Sequence, residues 1–260
     1  MHSSPRPIGV KIGLANAYKH LGGWISADGS PAREASQRRH IMDHTLGVLR
    51  RTIFKQRALK DEHSLIFADA LAWPQLSYLA ALWPERPKQQ WHTHAAAYVG
   101  IYRSALKCRR NGDQSHNISD EAVLLRADRL SLADRATLIR LRYLSRALRF
   151  APPSLHGALN EAFALKTPWI RQLLADIVKA ASLLDKQAPA PADHIASWCD
   201  LAREHPQQWC SLIRCLAAEM CFRAHTVFRL EIFKHALCRD AACAGTAPPT
   251  IAEAPPAPTA

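Results

Sequence analysis

The sequence predicts a mostly α protein: a helical bundle preceded by one short β-hairpin and followed by a disordered C-terminal tail. Three observations predict it. Between Ser30 and Leu230, apolar residues recur three and four positions apart in successive stretches, each bounded by a capping residue or a proline. Ahead of Ser30 the apolar run Val10–Ile25 is broken by Gly13 and by Gly22-Gly23, and Asp28-Gly29 follows, which reads as two short strands meeting in a hairpin. From Arg239 onward Ala, Pro and Thr dominate, and such a tail buries too little apolar surface to offset its ordering entropy.

The elements follow in order. Residues 1 to 9 are polar and read as a flexible lead. Ser30 is a suitable N-cap and Pro31 a suitable first helical residue. The helix they open carries Ile41, Thr45, Val48, Leu49, Thr52 and Ile53 as its expected core stripe. A second helical pattern runs from about His63 to Trp83, and Pro74 must kink it or split it in two. Gln89–Cys108 places Trp91, Ala95, Tyr98, Tyr102 and Leu106 on one face, and Asn111-Gly112-Asp113 reads as a loop. Ser119 and Ser131 are expected caps, the second with Asp134 in the position that closes a capping box. Leu138, Leu141, Leu144 and Leu148 then form a regular stripe that Pro152-Pro153 stops. Trp169, Leu173, Leu174, Ile177, Ala181 and Leu184 make the next buried face, and Pro189 and Pro191 mark a linker. The last helix opens at His205-Pro206 and carries Trp209, Leu212, Ile213, Leu216, Met220, Val227 and Leu230.

Charge bounds the partners. The 260 residues carry 34 Lys and Arg against 22 Asp and Glu, a net charge of +12. A balance of this size favours a polyanion, nucleic acid before an anionic membrane, and the alternative is a solvated basic surface with no partner. No apolar run is long enough to span a bilayer, and Met1–Val10 has no signal-peptide core, so an intracellular chain, nuclear or cytoplasmic, is expected. Seven cysteines at irregular spacing read as reduced, mostly buried thiols rather than a disulfide framework.

The positive charge is clustered. Arg33, Arg38, Arg39, Arg50, Arg51, Lys55 and Arg57 lie off the expected stripe of the first helix with few acids between them, a pattern that neutralises phosphates at low sequence specificity. The bland alternative is a solvent-facing helix. On the nucleic-acid reading, replacing Arg38, Arg39, Arg50 and Arg51 by Ala weakens binding without unfolding the protein. A second cluster, Arg126, Arg129, Arg135, Arg140, Arg142, Arg146 and Arg149, serves either phosphates or the packing of its own alkyl stems.

Tyr18-Lys19-His20-Leu21-Gly22 resembles the Y-K-(Y/H)-L-G block of reverse transcriptases from non-LTR (LINE-like) retrotransposons. The Arg-rich helix with Leu49-Arg50-Arg51 follows in the same order. Then Phe67, Leu71, Pro74, Leu76, Tyr78 and Trp83 resemble the L…P.L.YG…W block of that family's thumb, with Leu79 standing where the family usually has glycine. Arg140-Leu141-Arg142-Tyr143-Leu144-Ser145-Arg146 and Trp169 resemble the helical region after the thumb. The resemblance covers roughly residues 10 to 185. It implies a primer-grip-like hairpin in 1–30, a basic thumb-like region in 31–88, a post-thumb region in 89–187, C-terminal helices in 188–238 and the tail in 239–260. It implies RNA and DNA, as primer–template, for partners, with Tyr18, Lys19, His20, Leu21 and Gly22 near the primer and the basic helix along the backbone. The family polymerises DNA on RNA with Mg²⁺ held by palm aspartates. No such palm precedes the hairpin here, so a truncated element or a reading frame opened late is expected, inactive as a polymerase alone and with no cofactor of its own.

Phe67-Ala68-Asp69-Ala70 imitates the family's metal-binding F/Y-A-D-D motif but lacks the second acid, and it follows the hairpin block instead of preceding it. Two-metal phosphoryl transfer needs carboxylates that share both cations, so Phe67 is read as core and Asp69 as surface. Cys199, Cys210, Cys215 and Cys221 are too irregular for a zinc finger, Cys221 and His225 share a helix face, and His92-x-His94 reads as a surface pair. No metal ligand and no catalytic residue is therefore assigned. No P-loop, dinucleotide fingerprint or nucleophile elbow occurs. A helical protein–protein interaction module with incidental charge is the alternative, and an all-α enzyme with dispersed catalytic residues ranks below both.

Overall fold

The computed structural model describes residues 17–20, 23–26, 32–56, 58–83, 88–108, 118–184 and 195–243. The protein is mostly α. Two short strands, β1 (Ala17–His20) and β2 (Gly23–Ser26), pair antiparallel with Tyr18 opposite Ile25 and His20 opposite Gly23. β2 packs on α1 (Ala32–Thr52). The lead, the cap at Ser30-Pro31, the 111–113 loop, the linker prolines and 244–260 lie outside the described residues.

α1 turns a different face inward from the one its sequence suggests. Ala35, Arg38, Met42, Leu46 and Leu49 are buried, whereas Val48 and Thr52 are exposed and Ile41, Thr45 and Ile53 are half-buried. Two stripes at helical spacing run side by side on this helix. Met42 and Leu46, which carry no branch at Cβ, are buried deeper than the β-branched side chains of the neighbouring row.

The segment around Pro74 splits into four pieces: α2 (Asp61–Phe67), a π-helical turn (Ala68–Ala72), α3 (Trp73–Ser77) and a 3₁₀ turn (Ala80–Leu82). Pro74 occupies the first turn of α3, where its missing N–H costs least. Leu79 has φ 59° and ψ 10°, the left-handed region that side chains with a Cβ rarely enter.

α4 (Lys88–Ala105) buries Tyr98, Tyr102 and Ala105, with Leu106 just beyond its end. Ser119 caps α5 (Asp120–Arg126) by accepting from Ala122 N at 3.2 Å. Ser131 caps α6 (Leu132–Phe150) by accepting from Asp134 N at 3.2 Å, and its hydroxyl donates to Asp134 Oδ2 at 2.7 Å. Leu138, Leu141, Leu144 and Leu148 are all buried. Pro152-Pro153 ends α6 and also starts α7 (Pro153–Ala164), a helix the sequence reading did not anticipate. α8 (Pro168–Leu184), α9 (Ile195–Glu204) and α10 (Pro206–Cys243) follow. α10 continues five residues into the segment expected to be disordered from Arg239. Extending an existing helix through Arg and Ala is cheap, because nucleation has already occurred.

The buried side chains form two clusters. The first gathers Met42, Leu76, Tyr98, Ile101 and Tyr102 from α1, α3 and α4. The second gathers Leu141, Leu144, Leu173, Ile177, Trp198 and Trp209 from α6, α8, α9 and α10. Leu132 belongs to the first cluster and Leu130 to the second. Among the described residues no helix is long and apolar enough to cross a membrane.

Candidate nucleic-acid interface

The arginines divide according to which way their helices turn them. On α1 the line opposite the buried stripe carries Arg33, His40, His44 and Arg51, all exposed, with Arg33 and Arg51 about 27 Å apart along the axis. Lys55 lies just past the helix end and is also exposed. Arg51 and Lys55 make no ion pair among the described residues. One edge of this face holds Arg39, whose Nε lies 3.6 Å from Asp43 Oδ2, and Arg50, whose Nε donates to Ser104 Oγ at 2.8 Å. Lys19 on β1 is exposed. Leu21, Gly22, Arg57 and the side chains of Tyr18 and His20 lie outside the described residues.

Arg38 does not belong to this face. It is 6% exposed, its Nε donates to Glu34 Oε1 at 2.5 Å, and its guanidinium stacks 4.0 Å from the Tyr78 ring centroid. The cause is the phase of α1: Arg38 stands four residues before Met42, on the stripe that faces inward. It ties α1 to the turn after α3, so its expected role as a surface phosphate ligand is withdrawn.

The second basic cluster separates in the same way. Arg142, Arg146 and Arg149 are exposed at i, i+4 and i+7 on α6. Arg126 pairs with Asp61 at 2.9 Å on the surface. Arg140 is buried, with Nε 2.5 Å and Nη2 3.0 Å from the two oxygens of Asp176, which also accepts from Thr137 at 2.8 Å. This bidentate pair joins α6 to α8.

Arg129 and Arg135 converge on Asp69, in the π turn. Arg129 donates to Asp69 Oδ2 through Nε at 2.9 Å and Nη2 at 2.6 Å. Tyr102 donates to Oδ1 at 2.8 Å, and Arg135 Nη1 donates to Tyr102 Oη at 2.5 Å and Tyr98 Oη at 3.2 Å. The Arg135 guanidinium also lies 4.4 Å over the Trp73 ring. Burial pushes the Asp69 carboxyl up, but the hydrogen bonds from Arg129 and Tyr102 and the two guanidinium charges outweigh it, and its pKa falls below the usual carboxylate value. Burial, before any other cause, raises the phenol of Tyr102. Asp69 is therefore half-buried and fully engaged, and Phe67 is 37% exposed, the reverse of what the sequence suggested. The three partners of Asp69, Tyr102, Arg129 and Arg135, lie 33 to 66 residues from it in the chain, and no local pattern announces them.

His94 is buried with its ring edge-on to Trp83 at 5.3 Å, and His92 is exposed. Cys210 and Cys215 are exposed, and Cys108, Cys199 and Cys221 are half-buried. Among the described residues no three His, Cys, Asp or Glu side chains come together as metal ligands.

An apolar groove of about 420 Å³ opens between α5, α8 and α10, lined by Leu124, Leu125, Leu183, Met220, Val227 and Phe228. No family model, no curated protein and no solved structure matches the chain.

Proposed function

We propose that this chain binds nucleic acid through its basic helical faces, as a module of the kind that grips template–primer in the thumb of non-LTR retrotransposon reverse transcriptases. The observation that carries the proposal is the outer face of α1, where exposed Arg33 and Arg51 stand at the two ends of a helix whose opposite face is fixed in a core, with Arg39 and Arg50 along one edge. Cations held on a rigid rod neutralise successive phosphates without reading bases. The exposed stripe Arg142, Arg146 and Arg149 adds a second such face. The hairpin packed against α1 fits a strand-gripping element beside it. Leu79 supports the thumb resemblance in particular: its left-handed backbone occupies the position where that family usually carries glycine, the residue that takes this conformation freely. The module binds rather than polymerises, because Asp69, its nearest match to a metal-binding aspartate, is held by Arg129 and Arg135.

Binding of the chain to an RNA–DNA primer–template across a salt series tests this. Affinity is expected to fall steeply with salt, and Arg51→Gln with Lys55→Gln is expected to lower both affinity and slope. A folded protein with no affinity at low salt removes the proposal. The second reading, a protein-interaction module, then leads, favoured by the apolar groove and by Phe222, 66% exposed on the same helix α10.

A further inference from the structure

Beside the basic face of α1 lies a polar cavity of about 350 Å³, walled by Arg50 from α1, Gly100, Arg103 and Ser104 from α4, and Asp120 from α5. Its two guanidiniums are held in place from behind. Arg50 donates from Nε to Ser104 Oγ at 2.8 Å, and that hydroxyl spends its own proton on the Gly100 carbonyl at 2.7 Å. The terminal nitrogens of Arg50 have no partner among the described residues. Arg103 donates from Nη2 to Asp120 Oδ1 at 2.5 Å, and its side chain is 12% exposed. Its Nη1 is buried and has no hydrogen-bond partner among the described residues. Two guanidiniums in the wall of one polar cavity, one of them with unengaged terminal nitrogens, supply the charge and the donors that a phosphate group takes.

We infer that this cavity takes one phosphodiester of the bound nucleic-acid strand, with the terminal nitrogens of Arg50 donating to its free oxygens and Arg103 supplying a second positive charge in the wall. The inference rests on the proposed nucleic-acid function and deepens it. Charge selects the diester. Two guanidiniums and the Asp120 carboxylate leave one positive charge, which balances a singly charged diester, whereas a dianionic monoester meets the carboxylate with a charge uncompensated. Gly100 keeps the cavity open: a Cβ built there meets no heavy atom within 4 Å.

That opening provides a test that leaves every charge in place. The full chain, its Arg50→Gln variant and its Gly100→Leu variant are compared for primer–template binding across a salt series, with melting curves as the check on folding. Each phosphate contact contributes about 0.9 to the slope of log K against log salt on a duplex. Both variants are expected to lose about one contact from that slope, Gly100→Leu at unchanged net charge. Binding by the parent with the same slope in both variants overturns the inference and leaves the nucleic-acid function standing.

Dimethyl phosphate at constant ionic strength separates the strand from a free ligand. A rise in melting temperature confined to the parent, together with unchanged slopes, assigns the cavity to a small phosphodiester and overturns its use by the strand. If the parent binds no nucleic acid, the same rise keeps the cavity as a phosphodiester site while the wider function falls. Absence of both effects overturns both.

Discussion

The first cluster, around α1 to α5, and the second, around α6 and α8 to α10, are held together differently. The second is regular. Leucines at helical spacing on α6 meet Leu173 and Ile177 of α8, Trp198 and Trp209 meet edge-on at 6.2 Å, and the ion pair Arg140–Asp176 ties α6 to α8. The first sets short pieces, a split helix, a π turn and a left-handed turn, against the long helices α1 and α4. Polar contacts fix their positions, with Arg38 binding α1 to Tyr78 and Asp69 binding the π turn to Arg129, Arg135 and Tyr102. Where helices are long and periodic, apolar burial places them. Where they are short, directional charge-assisted bonds take over the placement.

The comparison can be broken from the second cluster first. Asp176→Ala leaves Arg140 buried and uncompensated and is expected to cost about 3–5 kcal/mol in denaturant unfolding, the largest effect of the set. Arg38→Ala removes the buried ion pair with Glu34 and the stack on Tyr78, with an expected cost of about 3 kcal/mol. This reverses the sequence-based expectation that Arg38 can be removed harmlessly, so Arg38 has no place in a test of surface binding.

Asp69→Asn should cost about 1–3 kcal/mol and should also change the acid limb of stability. Asp69 ionises more readily folded than unfolded. Its contribution is complete above the unfolded value, about 4, and is lost as pH falls through the lower folded value. Melting temperature below that pH should therefore fall less steeply in Asp69→Asn than in the parent. Leu79→Gly relieves a left-handed side-chain-bearing residue but removes a side chain that is only 36% exposed, so the two effects offset and stability should change by less than about 1 kcal/mol. Arg51→Gln with Lys55→Gln should leave stability within about 0.5 kcal/mol while weakening binding, and a large loss of stability would place those cations in the fold instead.

The same contrast explains what could be read from the sequence. The stripe Leu138–Leu148 and the caps Ser119 and Ser131 were legible because local spacing and cap chemistry determine them. α7 was missed because Pro152-Pro153 reads equally as the end of one helix and the first turn of the next. The face of α1 was ambiguous because two apolar rows lie about 100° apart, and the choice rests on what α3 and α4 present to it. That one ambiguity carried Arg38 to the wrong side. The Asp69 contacts join residues far apart in the chain and have no local signature. For the cavity beside α1, Arg50 was legible as a cation, but its pairing with Arg103 depends on the packing of α1 against α4.

The π turn at Ala68–Ala72 accommodates one residue more than an α turn of the same rise. The contacts of Asp69 depend on the register that this extra residue sets. Deleting Ala70 would restore a plain α-helix and improve its local hydrogen bonding. It would also rotate α2 and Asp69 by about 100° relative to α3, carrying the carboxylate away from both arginines. A lineage that shortened the chain here would gain a better helix and lose the anchor, so length at this point should be harder to change than sequence.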